Sequence, residues 1–395
     1  MKSKILWQYA AILFLSIIFT SCKKDISQTE KAQLVQDDGL KSGLITTCIP
    51  SGIQFFKTES LSQARGILGL LGIGLSNKVL FIQGLKQNED GSKRVDIYNT
   101  TSDSWTVKIL SEGKIDQAIA AGGTKIGIAG GEGGTAGGYS NQVDIYDVNS
   151  NAWTVSHLSV PRGLAAGVSY GDSLYFAGGL NPTPLKTIDV YNTLNGSWSK
   201  FSLSRARFNL AAAATNNKIL FAGGETAHSK ATDLVDIYDV HSGTWSVSAL
   251  SETRTELVGA ALGTLIIFGG GFDTHGGPNG NGHRSDVVDI YNTLTGHWSV
   301  SHISSATGWR ESAVQGTKMF FGGGGNSSGP SVVDVYDICT NTWGKLHLTD
   351  GRGNFGVGAA GGKVLFAGGD FGYCSTCAVV KTVDIFRLGA LIGPQ

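Results

Sequence analysis

The stretch Val288-Asp289-Ile290-Tyr291, followed by Trp298, decides the fold of this chain, because close copies of it recur along most of the sequence. The tryptophan lies seven residues after the tyrosine, and successive copies are 45–53 residues apart. A last copy, Val383-Asp384-Ile385-Phe386, has no tryptophan after it. The chain is therefore an array of similar units. The other complete pairs are Tyr98–Trp105, Tyr146–Trp153, Tyr191–Trp198, Tyr238–Trp245 and Tyr336–Trp343.

Each unit carries four strand signals, which is the content of one blade of a β-propeller. In one unit the small apolar segment Leu164-Ala165-Ala166-Gly167-Val168 precedes the apolar strand Leu174-Tyr175-Phe176-Ala177, which ends in Gly178-Gly179. The Val-Asp-Ile-Tyr strand then follows, with Val and Ile on one face and Asp and Tyr on the other. A turn rich in Asn, Ser, Thr and Gly leads to the tryptophan strand.

The two ends of the array each lack part of a unit. The segment after Phe386 is too short for a tryptophan strand, whereas Ile53-Gln54-Phe55-Phe56-Lys57 has strand composition but no unit before it. In five later copies a basic residue follows the tryptophan by nine positions, and Arg65 follows Phe56 by nine as well. We therefore predict an all-β, seven-bladed propeller in which the N-terminal strand completes the last blade, with Phe56 in the tryptophan position. This closure leaves no open sheet edge.

An apolar strand that ends in Gly-Gly, followed by Tyr and Trp at fixed spacing, resembles the kelch repeat. The resemblance covers about residues 53–386 and implies a kelch-type β-propeller. WD40 propellers share the architecture, but the paired glycines and the absence of recurrent Trp-Asp endings argue against them. The pairs are Gly130-Gly131, Gly178-Gly179, Gly223-Gly224, Gly269-Gly270, Gly322-Gly323 and Gly368-Gly369, with Gly84-Leu85 as a degenerate copy.

Composition limits the possible partners. Only 16% of the 395 residues are charged and 57 are glycine, which suits many short strands joined by Gly-rich turns. Lys and Arg number 31, as do Asp and Glu, so the chain has no overall basic charge. Removing residues 1–21 takes away two lysines and no acid, which leaves 29 minus 31, or a net charge of −2. We predict no nucleic-acid partner.

The N-terminus has the pattern of an export signal. Lys2 and Lys4 precede an apolar run that ends near Phe19 and is short for a membrane span. Thr20-Ser21-Cys22 resembles the bacterial lipobox, in which the cysteine is acylated; the alternative is a plain secretory signal that leaves Cys22 as a free thiol. We predict a lipoprotein signal peptide at 1–21, a flexible tether at 22–52 after the acylated Cys22, and the propeller at 53–395.

The residues after Cys22 bear on location. In bacterial lipoproteins an aspartate directly after the acylated cysteine resembles a signal for retention in the inner membrane, and this chain has Lys23 and Lys24 there. We therefore expect lipid anchoring at the outer membrane. The sequence leaves open whether the propeller faces the periplasm or the cell surface.

The basic residue that recurs once per unit lies where the inner strand begins, on the face that carries the long loops. Such residues could form a ring at the channel mouth and bind a carboxylate, an acidic sugar or an acidic peptide. Arginines at similar positions take part when kelch propellers bind acidic peptides. The alternative is that the residue belongs to the repeat and pairs with carboxylates or loop carbonyls. The set is Arg65, Lys114, Arg162, Arg207, Arg254 and Arg352, with Arg310 three residues after the register position Thr307.

Other acids and histidines give no specific site. The aspartate of Val-Asp-Ile-Tyr recurs in all seven copies, so it is expected to accept hydrogen bonds within the repeat rather than to act in catalysis. His275 and His283 lie with Asp273 and Asp286 in a Gly-rich loop that lacks a fixed ligand spacing. We predict a solvated loop there and no metal site.

Four cysteines follow the predicted lipidation site. Cys374 and Cys377 could form a local disulfide in an exported protein. Cys48 and Cys339 could pair across the ring closure, but the sequence does not give their separation. The redox state and the pairing of all four stay open.

The sequence contains no phosphate-binding loop of the Gly-x-x-x-x-Gly-Lys-Ser/Thr type and no zinc-protease helix. We predict no catalytic residue and no cofactor. The predicted function is a monomeric, non-catalytic binding or scaffold propeller that recognises an unknown protein or glycan, including an anionic one, through its loop face. The alternative is a periplasmic sugar epimerase or mutarotase that resembles the kelch-like sialic acid mutarotases, with Glu59, Glu225 or Glu252 as the acid at the channel mouth.

Overall fold

The computed structural model describes residues 51–86, 91–133, 138–227, 230–273, 282–306, 311–322, 332–371 and 378–390, and every regular element in these ranges is a strand. Within them, no helix is long and apolar enough to span a membrane. The predicted signal peptide and nearly all of the tether lie outside the described residues.

The described strands form seven antiparallel blade sheets, as predicted: six have four strands, and the sheet of blade four has a short fifth strand. A separate two-stranded sheet lies in the loops of blade two. The chain opens with β1 (Ser51–Ser60). Blade one contains β2 (Gly66–Leu75), β3 (Lys78–Leu85), β4 (Arg94–Asn99) and β5 (Ser104–Ile109). Blade two and its loops contain β6 (Lys114–Ile115), β7 (Ala118–Gly122), β8 (Lys125–Ala129), β9 (Glu132–Gly133), β10 (Gln142–Asp147) and β11 (Trp153–His157). Blade three contains β12 (Ala166–Tyr170), β13 (Ser173–Ala177), β14 (Thr187–Asn192) and β15 (Trp198–Ser202).

The remaining blades repeat this order from the inner strand outward. Blade four contains β16 (Ala211–Thr215), β17 (Lys218–Ala222), the short β18 (Glu225–Thr226), β19 (Lys230–Asp239) and β20 (Thr244–Arg254). Blade five contains β21 (Val258–Leu262), β22 (Leu265–Gly269), β23 (Val287–Asn292) and β24 (Trp298–His302). Blade six contains β25 (Glu311–Gln315), β26 (Lys318–Gly322), β27 (Val332–Asp337) and β28 (Thr342–His347). Blade seven contains β29 (Gly356–Ala360), β30 (Lys363–Ala367), β31 (Thr382–Ala390) and β1.

The core lies between adjacent blades, because each sheet needs its neighbours to cover both of its faces. Tyr291 and Trp298 of blade five pack against a cluster that includes Leu220 and Val235 of blade four. The centroids of the two aromatic rings are 4.9 Å apart. Aromatic side chains bury large areas at little conformational cost, which explains why the Tyr–Trp pair recurs in the sequence.

The N-terminal strand closes the ring, as predicted. β1 pairs with β31, and Phe55 lies opposite Phe386, as tryptophan lies opposite tyrosine in the other blades. A bulge between Phe55 and Lys57 shifts the register by one residue, so the prediction that Phe56 takes the tryptophan position was wrong. Phe56 instead packs against a cluster of residues from blades seven and one, as Trp105 does, and the guanidinium of Arg387 lies 3.2 Å from the Phe56 ring centroid.

The propeller has two faces. We call the end with the connections from second to third strands and from each blade to the next the loop face. The other end, with the short turns within each blade, is the turn face. Since the inner strands begin at the loop face, residues just before β7, β12, β16, β21 and β29 surround the channel mouth there.

Candidate functional site

The recurrent arginines are buried inside their blades. Arg65, Arg162, Arg207, Arg254 and Arg352 are all 0% exposed. Each guanidinium pairs with the aspartate of the third strand of its own blade. The pairs are Arg65–Asp96, Arg162–Asp189, Arg207–Asp236, Arg254–Asp289 and Arg352–Asp384.

Arg207 shows what the pair does. Its Nη1 donates to the backbone oxygens of Gly223 at 2.7 Å and Leu234 at 2.8 Å, and its Nη2 donates to Asp236. The other carboxylate oxygen of Asp236 accepts from the backbone nitrogen of Ser204 at 3.0 Å. Burial lowers the pKa of Arg207, and the negative charge of Asp236 opposes that shift. The pair therefore joins the incoming connection to the second and third strands of the blade.

Ligand binding by this basic set stays a prediction that the geometry does not favour, because the five guanidinium groups are enclosed and neutralised. Lys114 is also buried and lies 3.4 Å from Glu112 rather than pairing with Asp144. In that blade Asp144 accepts from Gln142 Nε2 at 3.0 Å. Arg310 lies outside the described residues.

The glycine pairs allow the backbones of adjacent blades to approach closely. Gly178 and Gly179 have φ of 65° and 105°, and a Cβ on Gly178 would lie 2.5 Å from the backbone oxygen of Arg207 in the next blade. In blade five the left-handed pair is Gly270-Gly271, one residue later than the sequence reading of Gly269-Gly270. In blade one it is Gln83-Gly84 rather than Gly84-Leu85. The pairs are structural.

A second recurrent position, two residues after the basic one, surrounds the channel mouth. Asp116, Leu164, Asn209, Glu256 and Asn354 occupy it, and all have φ between 51° and 56°. Neighbouring blades are joined through this position: the backbone nitrogen of Leu164 donates to Asp116 O at 2.9 Å, that of Asn209 to Leu164 O at 3.0 Å, and that of Glu256 to Asn209 O at 3.0 Å. The repeat fixes the backbone here while the side chain varies.

These side chains line a cavity of about 210 Å³ at the mouth. Behind it, the Ala- and Gly-rich inner strands line an axial channel of about 500 Å³, and Glu311 at the start of β25 contacts both spaces. Glu311 is the one ionisable residue among the described residues that line the channel. The lining of the mouth includes Leu70, Gln83, Asp116, Gln117, Leu164, Asn209, Leu210, Glu256, Leu257, Glu311, Asn354 and Phe355.

The carboxyl groups of the mouth hold protons more tightly than usual. Burial, assisted by the charges of Glu225 and Asp116, raises the pKa of Glu256 to about 8. Burial raises the pKa of Glu311 to about 8, although the backbone N–H of Gly72 acts in the opposite direction. Burial and the charge of Glu132 raise the pKa of Asp116 to about 6. At neutral pH the mouth therefore combines neutral carboxyl groups with one carboxylate.

Side-chain amides complete the polar lining and are held in place. Asn209 Nδ2 donates to Glu225 Oε1 at 3.3 Å, and Asn354 Nδ2 donates to Asp370 Oδ2 at 2.8 Å. Across blades one and two, Gln83 Oε1 accepts from the backbone nitrogen of Gln117 at 3.1 Å. The amide groups of the site are thus fixed by hydrogen bonds and come from several blades.

None of the three acids proposed from the sequence lines this cavity. Glu59 pairs with Lys57 on β1, and Glu225 is fully buried beneath Asn209 and Thr255. Glu252 lies at the surface, 3.6 Å from Arg254 Nε. Sequence reasoning missed the actual acids because their position carries different residue types in different units. A constant two-residue offset from the basic residue was the available signal for Asp116 and Glu256.

The other sequence candidates fall mainly outside the described residues. These include Cys22, Cys374, Cys377 and most of the histidine-containing loop. His283 is described and lies 3.1 Å from Asp273 at the surface. Within the described ranges, no group of three or more His, Cys, Asp or Glu side chains could hold a metal ion.

Comparison with known proteins identifies one repeat. The sequence model of the Kelch motif matches residues 161–202, which begin one residue before Arg162 and run to the end of β15 in blade three. A search of curated proteins found no match. The motif match and the closed ring of seven blades together support a kelch-repeat β-propeller.

Proposed function

We propose that this chain is a lipid-anchored, non-catalytic binding propeller that recognises a protein or glycan partner through its loop face. The observation that carries the proposal is the cavity at the channel mouth, about 210 Å³ in volume and lined by polar and apolar side chains from most of the blades. Concave sites that combine apolar surface with a few fixed polar groups are typical of ligand binding.

The size of the cavity limits what enters it. Pockets that bury a whole drug-sized molecule are roughly 300–1,000 Å³. A space of about 210 Å³ suits a single unit of a larger partner, such as one sugar residue or one side chain of a protein. The rest of the partner would contact the loops around the mouth, which differ in length between blades and stand on a rigid scaffold.

The lining also limits the chemistry of the group that enters. The ionisable side chains among the described lining residues are the carboxyl groups of Asp116, Glu256 and Glu311. Together with the amides of Asn209 and Asn354 they favour a group rich in hydrogen-bond donors, such as a sugar hydroxyl or an amine. An anionic group is disfavoured, because the arginines that would attract it are enclosed within the blades.

A glycan array probed with the purified protein tests this proposal. The informative variant is Asp116→Asn, because Asn tolerates the left-handed backbone that residue 116 adopts. Asp172→Asn, at an exposed turn on the turn face, is the matched control. We expect Asp116→Asn to weaken binding to a glycan hit about tenfold, the effect of losing one charge-assisted hydrogen bond, and the control to leave it unchanged. A hit that neither Asp116→Asn nor Glu311→Gln weakens would place the site elsewhere.

If no glycan binds, the proposal turns to a protein partner. A photo-reactive amino acid at position 209 should then cross-link a partner in intact cells, and one at position 172 should not. Equal cross-linking from both positions would contradict recognition at the loop face.

The alternative is a sugar epimerase or mutarotase that acts in the same cavity. The pKa of about 8 for Glu256 and Glu311 favours it, because a group that titrates near neutral pH exchanges protons efficiently. The described lining includes no His or Arg to act with them. NMR measurement of anomer exchange in a bound sugar separates the two functions: a binding module leaves the exchange rate at its value in buffer.

A further inference from the structure

A half-buried tyrosine, Tyr139, lies at the rim of the channel mouth, in the connection between β9 and β10 on the loop face. Asp116, close to it, lines the mouth cavity. We propose that Tyr139, Asp116 and Glu132 form a subsite for a cationic group, and that the mouth therefore accepts a lysine or arginine side chain of a protein partner. This inference rests on the function proposed above and narrows it from a protein or glycan to a basic segment of a protein.

The backbone around Tyr139 is held on two sides. Tyr139 forms a β-bridge with Glu132, and the backbone nitrogen of the next residue, Ser140, donates to Gly131 O at 2.9 Å. Ser140 O in turn accepts from the backbone nitrogen of Arg162 at 2.9 Å. The segment that carries the tyrosine is thus bonded both to blade two and to the connection that enters blade three.

The tyrosine ring lies against Gly163 and close to two carboxyl groups. A Cβ built on Gly163 would lie 3.3 Å from Tyr139 Cε1 and 3.6 Å from Asp116 Cβ. The two side-chain atoms are therefore at most 3.3 plus 3.6 Å, or 6.9 Å, apart. Burial raises the pKa of Tyr139, and the negative charges of Glu132 and Asp116 act in the same direction. Both acids are thus near enough to act on a group that contacts the ring.

An aromatic ring beside carboxyl groups favours a cation over a neutral hydrogen-bond donor. The face of a tyrosine ring attracts an ammonium or guanidinium group, and a hydrogen bond from such a group to a carboxylate is roughly twice as strong as one between neutral groups. Asp116 is ionised at neutral pH, because its pKa of about 6 lies below neutrality. The recurrent basic residues on either side of it in the chain, Lys114 and Arg162, are buried and face Glu112 and Asp189 instead.

The walls of the mouth suit the stem of a basic side chain. Leu164, Leu210 and Leu257 line the cavity together with the carboxyl groups. Lysine and arginine side chains pack their methylene groups on apolar surface and place the charged end against polar groups. The ammonium of an amino sugar is attached directly to the sugar ring and has no such stem. The leucines and the carboxyl groups together therefore favour a side chain of a protein.

An NMR titration of the full chain, labelled with ¹³C in the rings of its 11 tyrosines, tests the inference. The Tyr139 signal is identified as the one that disappears in Tyr139→Phe. The probes are Nα-acetyl-lysine methylamide and its neutral analogue, in which the side-chain nitrogen is also acetylated. We expect the first probe to shift the Tyr139 signal and the second to bind at least about tenfold more weakly, because it carries no positive charge. Equal affinities, or a Tyr139 signal that the charged probe leaves in place, overturn the proposal.

Variants assign the parts of the subsite, with the affinity read from the signals of the charged probe. Asp116→Asn should weaken binding about tenfold. Tyr139→Leu should weaken it about two- to fivefold, whereas Tyr139→Phe, which keeps the ring face, should bind as the wild type does. Asp172→Asn, on the turn face, is the matched control and should bind unchanged. If Tyr139→Phe loses as much affinity as Tyr139→Leu, or if neither loses any, the cation does not lie on the ring.

Two sugars separate a failure of this inference from a failure of the proposed function. Methyl glucoside is neutral, and glucosamine carries an ammonium without a methylene stem. If methyl glucoside binds, is weakened by Asp116→Asn and outcompetes the lysine probe, the binding function stands and the basic partner is wrong. Glucosamine that binds more tightly than the lysine probe also overturns the protein partner, because the ammonium then comes from a glycan. The lysine probe as the tightest of the three supports the inference.

Discussion

Replacing Arg207 by methionine tests whether the recurrent arginine is structural. The substitution keeps most of the apolar stem but removes the donors that reach Gly223 O, Leu234 O and Asp236. Asp236 then stays buried, with 2% of its side chain exposed, and loses its countercharge. Breaking a buried pair from one side costs about 3–5 kcal/mol. With an unfolding entropy of about 2.1 cal/mol/K per residue for residues 53–395, Tm should fall by about 4–7 °C.

The control is Arg205→Met, two residues earlier on the same face, where the arginine is exposed. It removes the same charge and should shift Tm by less than about 1 °C. The double variant Arg207→Met/Asp236→Asn should recover part of the loss, because no uncompensated charge remains buried. Differential scanning calorimetry measures all three. If Arg207→Met has the same Tm as the wild type, the ion pair does not stabilise the blade, and the recurrent arginines become candidates for ligand binding again.

Three other features make predictions of the same kind. The free energy of unfolding should fall as pH rises from about 4.5 to about 8, because Glu256 and Glu311 keep a proton in the folded state and lose it in the unfolded state. The fall should be at most about 1.4 kcal/mol per pH unit for each of the two groups. Urea titrations should show a flatter profile for Glu256→Gln/Glu311→Gln, and an identical profile would contradict the raised pKa values. Gly179→Ala should lower the urea midpoint more than Gly171→Ala, because only at Gly179 would the new Cβ lie 2.8 Å from a backbone oxygen; equal losses would mean that close packing is irrelevant there. Deleting residues 53–57 should lower Tm by exposing the edge of blade seven, and an unchanged Tm would contradict ring closure by β1.

The architecture was predictable because its signals repeat. Six Tyr–Trp pairs at one spacing, with a seventh copy that lacks its tryptophan, gave the blade count, and the two incomplete ends gave the closing strand. Register was less certain where no repeat constrained it. The bulge beside Phe55 moved the tryptophan position from Phe56 to Phe55, since counting from Arg65 cannot detect an extra residue within a strand. Three successive glycines, Gly269 to Gly271, concealed the offset in blade five in the same way.

The candidate site was harder to predict because sequence gives charge but not orientation. An arginine at the start of the inner strand could point into the channel or into the blade, and both readings were compatible with the pattern. In the structure the arginine points into the blade, because the aspartate of the third strand places a buried carboxylate there. That aspartate is about thirty residues later in the sequence. The mouth residues gave a weaker signal, because Asp116, Asn209 and Glu256 share a position and a backbone conformation but not a residue type.

This difference separates structural from ligand-binding positions in the ring. A residue that recurs in nearly every blade has a structural role that every blade requires. Here that role is the buried arginine–aspartate ion pair, which joins the incoming connection to the sheet. A ligand at the axis meets all blades at once and has no reason to present the same group to each. The residues that select it are therefore expected at a position whose backbone is fixed and whose side chain varies. The position occupied by Asp116, Leu164, Asn209 and Glu256 meets both conditions, so recognition should respond to exchanges among these side chains more than to any change in the repeat itself.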